Sequence, residues 1–126
     1  MQKTIFFDLD GTLTPKSTWY ELNMRLGLTP EEDKELFDRY LKDDLLYEDW
    51  TDELIRIHRS RGSITAAELI DFAESIELRP DAVATVLALR EKGYRVVLVS
   101  GSVNVIVETL AAALGIEDSL SCSIAL

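Results

Sequence analysis

An α/β fold, with a parallel sheet interrupted by an all-helical insertion, is what this sequence predicts. Three observations carry the prediction. Thr4–Phe7 crowds aromatic and β-branched residues together and runs straight into Asp8-Leu9-Asp10-Gly11, the pattern of a short buried strand ending in a polar turn. Val96-Val97-Leu98-Val99 is a continuous apolar run, as a parallel strand covered on both faces requires, and Ser100-Gly101-Ser102 interrupts it. Between these two strands the chain gives repeated helix signals and no convincing strand.

The elements follow in order. Ser17 or Thr18 caps a helix to about Leu26, stopped by Gly27. Thr29-Pro30-Glu31-Glu32 opens the next, with a cap oxygen, proline at the first helical position and acids in the first turn. Leu36, Phe37, Tyr40 and Leu41 make its apolar stripe, and Asp43-Asp44 mark its end. A third helix covers roughly Tyr47–Arg59, with Trp50, Leu54 and His58 at i, i+4 spacing and Ile55 beside them. Thr65 opens a fourth through Ser75, with Glu68 as its capping-box partner and Leu69, Ile70, Phe72 and Ala73 as the buried face. Pro80–Glu91 is helical with Val83, Val86 and Leu87 inward, and Lys92-Gly93 ends it. After the strand at Tyr94–Val99, a helix runs from about Val103 to Leu114, stopped by Gly115, with Ser102 as its cap, and Ser121–Leu126 reads as one more strand.

The chain has 126 residues and a formal charge of −10, of which residues 15–80 contribute −7 with 16 acids against 9 bases. So acidic a chain repels a phosphate backbone, and no basic stripe compensates, so nucleic acid is not the expected partner. No run approaches a membrane span and the N-terminus lacks a secretory apolar region, so no membrane partner and a cytoplasmic location are expected. Cys122 is alone; it makes neither an intramolecular disulfide nor a structural zinc site, and packs as a small hydrophobe. His58 reads as a structural or surface histidine, Arg56, Arg59 and Arg61 as a solvated face, and the aromatics Trp19, Tyr20, Tyr40, Tyr47 and Trp50 as core or as the seam between insertion and core.

The chemistry concentrates at Asp8 and Asp10. Period-2 geometry sends both carboxylates to one side at the strand's end and turns Leu9 back to the core. Two carboxylates so close repel unless a cation lies between them, and magnesium suits a small oxygen site that also receives phosphate. A plain strand followed by an Asp-rich turn accounts for the local pattern equally well.

FFDLDGTLT resembles the first motif of the haloacid dehalogenase-like phosphohydrolases, DxDGT, and YRVVLVSGS at Tyr94–Ser102 is similar to the second. Together they look most like the phosphoserine phosphatase branch. The resemblance implies a partial Rossmann-like core at 1–14 and 79–126 and a helical cap at 15–78. It implies Asp8 as nucleophile, Asp10 as the group that protonates the leaving oxygen and then deprotonates water, and phosphate binding by Gly11, Thr12, Ser100 and Gly101. It implies Mg²⁺ held by the Asp8 carboxylate and the main-chain carbonyl of Asp10, and a small phosphorylated metabolite as substrate.

The resemblance stops after Ser102. The family's later lysine and its GDGxND-type acidic motif have no counterpart, because no Lys or Arg follows Ser102 and the only later acids are Glu108, Glu117 and Asp118. Two readings result: an N-terminal part of a magnesium phosphatase, or a non-catalytic relative that self-associates through an exposed sheet edge or binds a protein partner.

Overall fold

The apolar runs do become strands, and in the computed structural model, which describes residues 1–123, they lie side by side. Strand β1 (Thr4–Phe7), β2 (Arg95–Val103) and β3 (Asp118–Cys122) form one parallel sheet in the order β1-β2-β3. Phe7 pairs with Leu98 and Val99 with Leu120. Six helices surround this frame in sequence: α1 (Thr18–Arg25), α2 (Pro30–Leu41), α3 (Tyr47–Arg61), α4 (Ala66–Ser75), α5 (Ala82–Glu91) and α6 (Asn104–Leu114). The fold class is the expected α/β arrangement.

The chain divides into two compact units: Met1–Thr18 together with the chain from Thr65 onward, and Trp19–Ile64. The first holds the sheet. Leu98 of β2 and Ile106, Val107 and Leu110 of α6 are buried together with Val86 of α5, and α4 packs against α6. Helix α4 therefore goes with the sheet, and the all-helical unit is shorter than the 15–78 span read from the sequence. The second unit has its own small core of Leu28, Leu36, Leu45 and Ile57, with Met24, Trp50 and Leu54 against it.

The capping signals translate directly. Thr29 and Glu32 form the complete capping box that starts α2, and Thr65 and Glu68 form the one that starts α4. The chain leaves α6 through Gly115 at φ 72°, where an L side chain would be strained.

Several readings of inward faces need correction. On α5, Ala82 and Val86 are buried while Val83 and Leu87 face solvent. On α2 only Leu36 is buried, and Phe37, Tyr40 and Leu41 are exposed, as are Ile55 on α3 and Ile70 on α4. Tyr20 and Tyr47 are exposed rather than core, and Cys122 is exposed too. Helices in a small unit have room for one buried row, so residues flanking that row stay outside however apolar they are. Ser102 does not cap α6. It lies within β2, and the helix begins after Val103 with no side-chain cap. Strand β3 starts at Asp118, earlier than Ser121; the part of that expected strand at 124–126 lies outside the described residues. Among the described residues no helix is long and apolar enough to cross a membrane.

Candidate functional site

Strand β1 ends at Phe7, and the chain then winds around one carbonyl. The N–H groups of Thr12, Leu13 and Thr14 all donate to Leu9 O, at 3.1, 3.0 and 3.2 Å. Leu9 itself is fully buried and anchors the turn. Gly11 sits at φ 72° with nothing within 4 Å of where a Cβ would be, so glycine is required there for its backbone angle and not for space. The buried Thr14 hydroxyl accepts from Gly11 N at 3.3 Å and donates to Lys16 O at 2.6 Å. Arg79, just before α5, closes the outside of the turn, its N–H on Leu13 O at 2.8 Å and its guanidinium Nη2 on Gly11 O at 3.1 Å.

This turn separates the environments of the two carboxylates. Asp8 is exposed, and its Oδ2 receives only a long hydrogen bond, 3.4 Å, from Thr12 Oγ1. Asp10 is half-buried and held from three directions. Thr18 donates to Oδ1 through both its main-chain N–H at 2.6 Å and its hydroxyl at 2.5 Å, and Ser100 Oγ donates to Oδ2 at 3.2 Å. Thr18 has one hydroxyl hydrogen, which the carboxylate takes as the stronger acceptor. The Ser102 hydroxyl, 2.7 Å away, therefore donates to Thr18 Oγ1. Ser102 N–H in turn donates to Ser100 Oγ at 3.1 Å. Asp10, Thr18, Ser102 and Ser100 thus form a closed ring of hydrogen bonds, and Thr18 and Ser102 are fully buried.

The sequence-predicted residues Asp10 and Ser100 meet directly, at the ends of the neighbouring strands β1 and β2. The pairing of β2 with β3 slips between Val99 and Val103, so the strand bulges where Ser100-Gly101-Ser102 lies. Asp8 and Thr12 are joined to each other, and Gly101 has open space about its Cα. The residues missed from sequence are Thr18, Ser102, Thr14 and Arg79. Thr18 reads as a helix cap because a cap and a bridge between elements use the same residue type. Ser102 carried a usable signal: at i+2 from Ser100 it lies on the same side of an extended chain.

As to a metal, the oxygens here fit magnesium in part. Asp8 is open to solvent, whereas the side chain of Asp10 is occupied by its three donors, which leaves its main-chain oxygen. Among the described residues no group of three or more His, Cys, Asp or Glu gathers here or elsewhere.

A family profile described as haloacid dehalogenase-like hydrolase matches residues 5–124. The chain belongs to that family, and its relatives are phosphoserine-phosphatase-like. Phosphoserine phosphatase SerB2 of Mycobacterium tuberculosis is 29% identical over 116 residues, 92% of this chain and 27% of that protein. A solved phosphoserine phosphatase from T. onnurineus superposes with a TM-score of 0.64 at 29% identity, over 96% of this chain and 57% of that one. A structure described as the phospho-aspartyl intermediate analogue of phosphoserine phosphatase gives a TM-score of 0.76 at 22% identity, over 99% of this chain and 58% of that one. The chain therefore spans little more than half the length of these solved relatives, and about a quarter of the curated one.

Proposed function

We propose that Asp8, Asp10 and Ser100 form part of the phosphoryl-transfer site of a magnesium-dependent phosphatase acting on a small phosphorylated metabolite. Asp8, the exposed carboxylate, attacks phosphorus as the bond to the ester oxygen breaks, leaving an aspartyl-phosphate. Asp10 gives its proton to the departing oxygen, then takes one from the water that attacks the intermediate and frees phosphate. Its Oδ2 is the oxygen suited to that exchange, because only the longer Ser100 bond restrains it. Gly11 and Thr12 contribute turn N–H groups toward the phosphoryl oxygens, Ser100 its hydroxyl, and Gly101 the room for their approach. Magnesium, when bound, neutralises charge between Asp8 and the phosphoryl group; the Asp8 carboxylate and Asp10 main-chain oxygen are this chain's donors, an incomplete shell.

The observation that supports this reading is the contrast within one turn: an Asp left open beside an Asp held by three donors, one of them from the neighbouring parallel strand. Exposure to p-nitrophenyl phosphate with Mg²⁺, followed by acid quench and intact-mass measurement, tests it. The wild type gains the mass of one phosphoryl group. Asp10→Asn gains it and holds it longer, because a nitrophenolate leaves without a proton whereas the attacking water still needs a base. Asp8→Asn gains nothing. A folded wild type with neither adduct nor turnover would sink catalysis by this chain.

A second reading has its own observation. Among the described residues β1 has no strand on its outer edge. Phe6 (66% exposed) and Leu120 (61%) leave apolar surface on the outer strands. Such an edge pairs readily with another chain, and a homodimer through it is the alternative. Sedimentation showing a dimer that Phe6→Lys converts to monomer supports this reading; a monomer at all concentrations removes it.

A further inference from the structure

The helical unit carries an exposed aromatic surface that the phosphoryl-transfer reading does not use. Helices α2 and α3 are joined through residues 42–46, and around that turn Phe37, Tyr40, Tyr47 and Trp50 touch one another. The ring centroids are 5.1 Å apart for Tyr40–Trp50, 6.1 Å for Phe37–Trp50, 6.3 Å for Tyr47–Trp50 and 6.4 Å for Tyr40–Tyr47. Leu41 and Leu46 extend the surface. Leu46 is 68% exposed and Tyr47 58%, more than the isolated apolar residues of an ordinary surface need. The turn is closed by its own backbone: Asp43 N–H donates to Tyr40 O at 3.2 Å and Asp44 N–H to Arg39 O at 3.0 Å. Asp43 is held at φ 60°, a left-handed angle that glycine would adopt at less cost.

Charge around these rings is one-sided. Residues 42–52 hold the acids Asp43, Asp44, Glu48, Asp49 and Asp52 against the single base Lys42, a net −4. All five acids are exposed. The neighbouring acids Asp38 and Glu53 are taken by Lys34 and Arg56, but among the described residues none of the five is in an ion pair. Such a surface repels nucleic acid and anionic lipid. A second copy docked through the same face by a two-fold axis would set −4 against −4. What complements it is positive charge beside apolar surface, and ring faces also attract Lys and Arg directly.

We propose that the α2–α3 tip is a docking surface for a cationic amphipathic segment of a partner protein. The segment's apolar side chains cover Leu46, Tyr47 and Tyr40 while its Lys or Arg side chains meet the tip carboxylates. Calorimetric titration of the intact chain tests this. The probe is an amphipathic peptide of about 16 residues, long enough to form a helix, with Leu on one face and Lys on the other. Its counterpart with Glu for Lys is the control. The Lys peptide is expected to bind and the Glu peptide not. Raising salt from about 50 to about 500 mM should weaken binding by about tenfold or more, since exposed charges are screened. Asp43→Lys with Asp44→Lys, and separately Leu46→Ser with Tyr47→Ser, should each cost at least about tenfold with the far-UV spectrum unchanged. No heat at millimolar peptide, or equal affinity in both double variants, overturns the proposal. So does a wild-type dimer that Leu46→Ser with Tyr47→Ser dissolves, which would make this face a contact between copies of the chain.

Discussion

The sheet unit and the helical unit place their polar groups in opposite ways. In the sheet unit, hydroxyls are carried inside: Thr14, Thr18, Ser100 and Ser102 are all buried, and their bonds to one another and to Asp10 hold a turn and two strand ends together. In the helical unit the bonds between charged side chains lie outside. Arg61 pairs with Glu32 through two bonds of 2.6 Å, Arg56 with Glu53 and Lys34 with Asp38, while the interior is a few leucines and one isoleucine. Exposed pairs contribute little and are screened by salt. Buried hydroxyls contribute modestly when paired and are costly when a partner is lost. The first unit thus specifies one geometry, and the second specifies a scaffold with a free surface.

The largest effect that breaks this contrast comes from the apolar interior. Leu98→Ala empties a fully buried place in β2 and should destabilise by about 3 kcal/mol or more, whereas Leu41→Ala on the open face of α2 should change stability by less than about 0.5 kcal/mol. Both tryptophans lie in the helical unit, so tryptophan fluorescence reports that unit while far-UV circular dichroism reports both. If Leu98→Ala shifts the circular dichroism transition and leaves fluorescence in place, the units unfold separately.

Next in size is the hydrogen-bonded ring. Thr18→Val keeps the shape and removes the hydroxyl, so Asp10 Oδ1 loses its 2.5 Å donor and the buried Ser102 hydroxyl loses its acceptor. A loss of about 1–3 kcal/mol is expected in denaturant unfolding, and Thr18→Ser should recover most of it. An unchanged midpoint for Thr18→Val would mean the ring contributes nothing to stability.

Much of this molecule was legible from residue types alone, because the signals were local. The capping boxes at Thr29 and Thr65, the glycine exits and the two apolar strands each follow from a few neighbouring residues. The Asp8–Asp10 pair was legible for the same reason. The Thr18–Ser102 bond was not, since it joins residues 84 positions apart and either hydroxyl is accounted for locally as a cap. Arg79 was invisible for a similar reason: nothing near it in sequence announces that its partners are the carbonyls of Gly11 and Leu13. The exposed faces of α2 and α5 failed differently. Apolar spacing states which residues share a face, but how much of that face a small unit can cover depends on what packs there.

A smaller effect sharpens the comparison through backbone angle. Gly11 in the sheet unit and Asp43 in the helical unit both sit left-handed, at φ 72° and 60°. Gly11→Ala should cost about 1–2 kcal/mol with no steric contribution, since its Cβ position is empty. Asp43→Gly should gain up to about 1 kcal/mol by relieving the same kind of strain. Opposite signs in thermal unfolding are the expected outcome; a loss in Asp43→Gly would mean its carboxylate makes a stabilising contact that outweighs the strain.

The smallest effects are in acid, where the helical unit alone supplies two titrations with separate windows. His58 Nε2 lies 3.2 Å from Asn23 Oδ1, and Asn23 Nδ2 donates to Asp33 at 3.2 Å. Burial first, and the Arg61 charge after it, push the imidazole below its ordinary 6.5, against a smaller opposing bond to the Leu26 backbone. The unfolded chain then takes up the proton more readily, so this contribution is present above pH 6.5 and declines as pH falls below it. Glu32 behaves as a carboxylate stabilised by its partners. The Arg61 guanidinium, then the Thr29 N–H, hold it down from 4.5 to about 2, so its contribution persists through the histidine window and declines only from about pH 4.5 toward 2. Tryptophan fluorescence during urea unfolding at stepped pH separates the two. His58→Gln should flatten the dependence between pH 7 and pH 5 and leave the lower limb, while Glu32→Gln, which keeps a side chain able to complete the capping box, should flatten the lower limb alone. A wild type whose midpoint does not change between pH 7 and pH 5 would show that His58 titrates alike in both states, and that the Asn23–Asp33 line carries no strain from its charge.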